Sequence, residues 1–188
     1  MPILGTVASQ FSGKPFAVGS FESIATVTVG SPQSTITFSS IPQTYKHLQL
    51  RITGRGTNAS NQQEMAMTYN GNTSGVYSRH LLYGNGSSIE ADGRGGTDPT
   101  FFMCWIAGGN ATANAHGICI VDIMDYTSGK TKTTSVLTAL DRNGGGLVGI
   151  ESSHFDSTSG ISSISMITQP AGNNFAQYSS FALYGIKG

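Results

Sequence analysis

Tyr45-Lys46-His47-Leu48-Gln49-Leu50-Arg51-Ile52-Thr53-Gly54-Arg55 is the stretch that decides the fold class. Leu48, Leu50, Ile52 and Gly54 fall on one parity, while His47, Gln49, Arg51, Thr53 and Arg55 fall on the other. Successive side chains of a strand point to opposite faces, so this segment sends an aliphatic row into a core and a charged or amide row towards water. A helix would scatter both rows. The turn Ser40-Ile41-Pro42-Gln43 leads into the strand, and a Gly, Asn and Ser-rich run over 54–62 follows it.

Working outward, residues 21–29, 34–39, 64–69, 76–83, 101–107, 115–126, 131–140, 147–153, 161–167 and 175–186 read as further short strands separated by turn signals. Asn70-Gly71 is a hairpin signal. Segment 115–126 is apolar on both parities in its middle, which predicts a central strand, and 131–140 reads as a solvated one. Asp141-Arg142-Asn143-Gly144-Gly145-Gly146 is a turn that needs positive φ. The glycine- and charge-rich run 87–99 reads as a long exposed loop. No helical period extends over a dozen residues. Roughly ten short strands predict an all-β chain folded as an antiparallel β-sandwich, with the jelly roll as the expected form.

The chain has 188 residues, which suits one sizeable core, and 11% of them are charged against about 25% in an average protein. Ten basic and ten acidic residues cancel. Such a surface has little long-range field, which argues against nucleic acid or an anionic membrane as a partner, and its neutrality favours association. No apolar run approaches a membrane span, and the N-terminus has no basic region of the kind that opens a secretion signal.

Residues 1–20 differ from the rest. Ile3, Leu4, Val7, Phe11, Phe16 and Val18 are scattered among Gly, Ser, Pro and Thr with neither period. Large apolar side chains are costly to leave in water. The stretch therefore reads as an extended arm whose partner-binding residues are Ile3, Leu4, Val7, Phe11 and Phe16, with the sandwich domain occupying 21–188.

No constellation of known chemistry stands out. His47, His80, His116 and His154 lack ligand spacing, and Cys104 and Cys119 sit in apolar runs as small buried hydrophobes, so neither a metal nor a cofactor is expected. Asp92 and Asp98 lack the regular series of a calcium loop. Asp122 and Asp125, with Glu151, are the sole basis for a glycan-cleaving reading; we read the two aspartates as turn acceptors and expect no catalytic residue. The sequons at Asn58, Asn72, Asn85 and Asn110 read as ordinary loop residues.

Several pieces resemble small tailed-bacteriophage virion structural proteins. They are the opening Met1-Pro-Ile-Leu-Gly-Thr-Val-Ala-Ser, Phe21-Glu-Ser-Ile-Ala-Thr-Val-Thr-Val-Gly30, and the stretch from Phe38 to Arg51. The group's middle is matched by Asp122-Ile-Met-Asp-Tyr126 and its closing strand by Phe175 to Gly188. The resemblance implies a particle component made in the host bacterial cytoplasm and carried in the virion. Its first form is a head decoration or cement protein, a homo-oligomer with a trimer favoured, whose arm grips the major capsid protein or a neighbouring virion protein. The alternative is a tail fibre or spike head that binds a host glycan through the loops over 54–62 and 83–99. Asn58, Tyr83, Asn85 and Arg94 are the candidate contact residues there.

Overall fold

A computed structural model describes residues 19–188. The arm residues Ile3, Leu4, Val7, Phe11 and Phe16 therefore lie outside the described residues. Twelve strands follow in order: β1 (Phe21–Thr28), β2 (Thr35–Phe38), β3 (His47–Gly54), β4 (Gln62–Tyr69), β5 (Tyr77–Gly84), β6 (Ile89–Asp98), β7 (Phe101–Ala107), β8 (Gly117–Ile123), β9 (Lys132–Asp141), β10 (Gly146–Phe155), β11 (Ile164–Gln169) and β12 (Ser180–Ile186). They form an eight-stranded sheet, β1-β12-β3-β8-β9-β10-β5-β6, and a four-stranded sheet, β2-β11-β4-β7. Every strand pairing is antiparallel, and the two sheets pack as a sandwich.

The opening strand has the parity its sequence predicts. Leu48, Leu50 and Ile52 of β3 are buried between the sheets with Val121 and Ile123 of β8 and Phe181 and Leu183 of β12, facing Met65, Met67 and Met166 from the smaller sheet. A ring cluster closes one end. Tyr77 stacks on Phe155 at 5.1 Å between centroids, and Tyr69 meets Phe155 edge-on at 5.3 Å. The buried phenol of Tyr77 accepts the Tyr69 amide at 2.9 Å and donates to the Asn72 carbonyl at 3.0 Å. Rings of this kind carry polar tips, and buried tips are normally satisfied.

Three expectations are corrected. Residues 87–99 are not a loop: the chain runs as the edge strand β6, paired with β5 from Ile89↔Gly84 to Tyr77↔Asp98. Backbone pairing to a long neighbour outweighs the low strand propensity of its glycines. Asn70-Gly71 takes the positive φ values (54° and 64°) that its composition predicts, but the strands it separates lie in different sheets, so it makes no hairpin. Instead the Asn70 carboxamide oxygen accepts the amides of Ser162 (2.8 Å) and Ser163 (3.1 Å). Finally, β9 is not a solvated strand. Lys132, Thr134, Val136, Thr138 and Leu140 are all buried, because the hydroxyls and the ammonium find partners inside. Tyr69 and Thr134 hydroxyls lie 2.7 Å apart, the Trp105 amide donates to Thr138 Oγ1, and Lys132 Nζ donates to carbonyl oxygens of Ser128, Lys130 and Ser157.

Arg55, just beyond β3, shapes the loop between β7 and β8. Its guanidinium donates to the carbonyls of Gly109, Ala111, Thr112 and Ala115 at 2.9–3.0 Å. Arg55→Ala removes a charged donor from four carbonyls, and we expect a loss of about 2 kcal/mol in denaturant unfolding together with faster proteolysis within 108–116. Unchanged cleavage there would show that the loop holds itself.

Candidate functional site

The acids singled out from sequence do not converge. Asp122 lies on the outer face of the eight-stranded sheet and accepts the Gln49 carboxamide at 2.7 Å. Asp125 sits beyond the end of β8 at φ 47°, paired with Lys46 at 2.9 Å, which holds its carboxyl below the usual range. Glu151 points inward from β10 and is 4% exposed. Asp122 and Asp125 lie beside Gln49 and His47, which share the outward row of β3, whereas Glu151 faces the interior, so the three acids do not meet on one surface. Among the described residues no group of three or more His, Cys, Asp or Glu side chains is placed to hold a metal ion. Cys104 and Cys119 are buried and unbonded, and burial pushes the Cys104 thiol well up.

The candidate contact residues have mixed surroundings. Asn58 is half-buried and donates to the Gln62 carbonyl at 2.8 Å, so it closes its own turn. The Tyr83 ring packs on Trp105 with centroids 4.8 Å apart while its hydroxyl donates to Glu90, which leaves it half-buried. Asn85 is exposed, with its oxygen accepting the Ser87 and Ser88 amides at 2.9 Å. Arg94 is exposed on β6, opposite Arg79, and lines a recess of about 300 Å³ with Glu64, Arg79, Asp98, Thr100 and Gln169. Two carboxylates balance two guanidiniums there, and Arg79 also pairs with Asp92 at 2.6 Å. Charge balance gives this recess no preference for an ion of either sign. A larger recess, of about 530 Å³, opens at the tip of the β9–β10 hairpin, lined mainly by Gly84, Gly86, Gly144, Gly145 and Gly146 with Asp141.

Among the described residues, Glu151 is a costly buried group. Glu151 Oε1 accepts the Ser153 hydroxyl, and Oε2 has no hydrogen-bond partner. Burial pushes its pKa up to about 8, against the opposing pull of Ser153 and of Arg79.

The feature that sequence reading missed is the outer face of the eight-stranded sheet. Among the described residues, seven of the nine most exposed large hydrophobic side chains lie on it: Phe21 at the β1 edge, and a group formed by Leu82, Ile89, Ile118, Leu137, Val148 and Ile150. Strand register lines up that group in two adjacent rows. One runs Ile120, Leu137, Ile150, Leu82, Ala91 across β8, β9, β10, β5 and β6; the other runs Ile118, Ala139, Val148, Gly84, Ile89. The next row, Gln49, Asp122, Ser135, Ser152 and His80, is polar and bounds the patch. The signal was present in β8, whose two apolar parities predict burial on both faces. The strand is central in its sheet, yet only the Cys119, Val121 and Ile123 side is covered, and Ile118 remains 48% exposed.

No family model, curated protein or solved structure matches the chain.

Proposed function

We propose that the chain is a structural subunit of a bacteriophage virion, a decoration or cement protein that stabilises an assembled head. The observation that carries this reading is the uncovered apolar face on an otherwise neutral, charge-poor sandwich. Contiguous apolar surface of this extent marks an interaction site, because leaving it in water is costly. Strand winding supports the same reading. With β5, β6, β9 and β10 set aside as two inserted pairs, β1-β12-β3-β8 faces β2-β11-β4-β7. The chain then crosses between sheets at every step except β4 to β7, which are neighbours. This alternation supports reading the sandwich as a jelly roll, an architecture used for capsid and lectin domains, with the inserted strands widening the larger sheet.

In this reading the arm, residues 1–20, contacts the capsid protein or a neighbouring subunit, and symmetry repeats a modest contact at every site on the shell. Binding only to the assembled state stabilises that state by mass action. Gold-labelled antibody against the protein should decorate virion heads. Label confined to tail tips would favour the fibre reading, and unlabelled virions would overturn both. Deleting residues 1–18 should leave a soluble chain with an unchanged melting temperature but at least ~10-fold weaker head binding, the loss of about 1.4 kcal/mol. Undiminished occupancy would remove the arm from the mechanism.

A further inference from the structure

We infer that the outer face of the eight-stranded sheet is the contact between two copies of this chain, related by a two-fold axis that lies in the interface parallel to the strands, between β9 and β10. This builds on the reading of the chain as an assembly subunit, but its test needs no particle and so fails or succeeds separately.

The axis follows from where the large residues sit. Ile120, Leu137, Ile150 and Leu82 stand in register on four successive strands, β8, β9, β10 and β5, whose midline falls between β9 and β10. A two-fold rotation about that line carries the patch onto itself, as a closed pair requires. It places Leu137 of one copy over Ile150 of the other, and Ile120 over Leu82. In the second row it places Ile118 over Gly84 and Ala139 over Val148, a large side chain against a small one each time. The hollows are present in the surface. A depression of about 300 Å³ lined by Leu82, Gly84, Ile89, Val148, Gly149 and Ile150 lies where Ile118 would enter. A second of about 300 Å³, lined by Arg51, Thr53, Ile118, Ile120, Ser180 and Ala182, lies on β3, β8 and β12. The same rotation brings β6 over β3, so Ile89, the most exposed of these hydrophobics at 79%, lands on this second hollow.

Size and charge agree with a second copy as the occupant. Strands spaced ~4.8 Å apart and outward rows ~7 Å apart give two rows across five strands an apolar face of roughly 340 Å² per copy. With its polar rim the pair reaches the low end of the roughly 1,200–2,000 Å² of standard interfaces. The two rows carry no charged side chain, so copies meet without repulsion, and sheets stacked ~10 Å apart interdigitate in the way sandwich layers do. An isologous face closes pairs; a trimer would need a different contact.

The full chain, purified alone, should sediment as a concentration-dependent dimer of about 39 kDa, twice its 19.6 kDa mass. Leu137→Lys sets two ammonium groups beside the axis and should raise the dimer dissociation constant at least ~100-fold. The residue points outward and is 44% exposed, so far-ultraviolet circular dichroism should be unchanged. A second variant does not depend on disruption. Ile120→Cys with Leu82→Cys places thiols three strand spacings, ~14 Å, apart within one chain, yet face to face across the ~10 Å between stacked sheets, beyond the reach of a disulfide but within that of a short bis-maleimide. With a bis-maleimide too short to span the distance within one chain, this variant should form covalent dimers, the thiol introduced on β8 of one copy and the thiol introduced on β5 of the other each adding across one maleimide double bond, with the thiol proton passing to the neighbouring carbon and no leaving group. A monomeric or trimeric wild type, a dimer indifferent to Leu137→Lys, or the absence of cross-linked dimer would each overturn the assignment. Dimerisation appearing only after deletion of residues 1–18 would do so too, by assigning the face to the chain's own N-terminal segment.

Discussion

Leu50→Asp gives a chain with no cooperative thermal transition, recovered mainly as insoluble material. Leu50 is fully buried on β3, paired with Leu183 on one side and Val121 on the other, in the middle of the larger sheet. The substitution removes a core side chain, at about 2–5 kcal/mol. It also obliges a carboxylate either to ionise without a partner or to protonate at a further cost of several kcal/mol. A domain of ordinary stability has about 5–15 kcal/mol in total. Arg51→Asp, one residue along, is the matched control, since Arg51 is exposed on the outer face beside the Phe21 and Tyr184 rings. It should melt within a few degrees of wild type. A soluble Leu50→Asp chain with the wild-type melting temperature would mean that β3 presents its other face to the core.

The contrast between those two positions also explains what the sequence made legible. β3 is readable because its aliphatic and polar rows differ in kind, and burial of one row is the strongest force acting on it. β7 is readable from unbroken apolarity over 101–107. β6 is not, because an edge strand is held by backbone hydrogen bonds to β5, and those leave no mark on side-chain choice. The inner face of β9 was hidden for a related reason: Thr134 and Thr138 look polar, but their hydroxyls are satisfied at Tyr69 and Trp105, residues 65 and 33 positions away. The apolar outer face was hidden in another way. Ile118, Leu137, Val148 and Ile150 each belong to strands that also supply the core, and periodicity does not say which face another layer covers. The acid trio was legible only as composition, since Asp122 and Glu151 occupy opposite faces of one sheet.

Glu151→Gln should abolish most of the pH dependence of stability between about pH 5 and 8. Glu151 is buried among β10's inward residues, with the Arg79 guanidinium and the Asp92 carboxylate both acting on it and opposing each other. Burial dominates and raises the carboxyl from 4.5 to about 8. Below about pH 4.5 the group is protonated in both the folded and the unfolded chain and costs nothing. Above that the unfolded chain releases the proton while the folded chain keeps it, so stability declines as pH rises until the folded group ionises near pH 8. Each pH unit in that window costs up to about 1.4 kcal/mol, giving a total on the order of 3–5 kcal/mol, which is a fall of roughly 10 °C in melting temperature for a chain of this size. The carboxyls of Glu22 and Asp125, both held low by lysines, act in the opposite sense but below this window. Lys132, lowered by burial, contributes stability that rises with pH towards its unfolded value near 10.5, and it does so equally in both proteins. The difference between wild type and variant therefore isolates Glu151. Glutamine keeps an acceptor for Ser153 and never ionises, so the variant should match wild type near pH 5 and exceed it by the full amount at pH 8.5. Parallel melting curves across that range would place Glu151 in contact with water and remove the buried acid from the energetics of the fold.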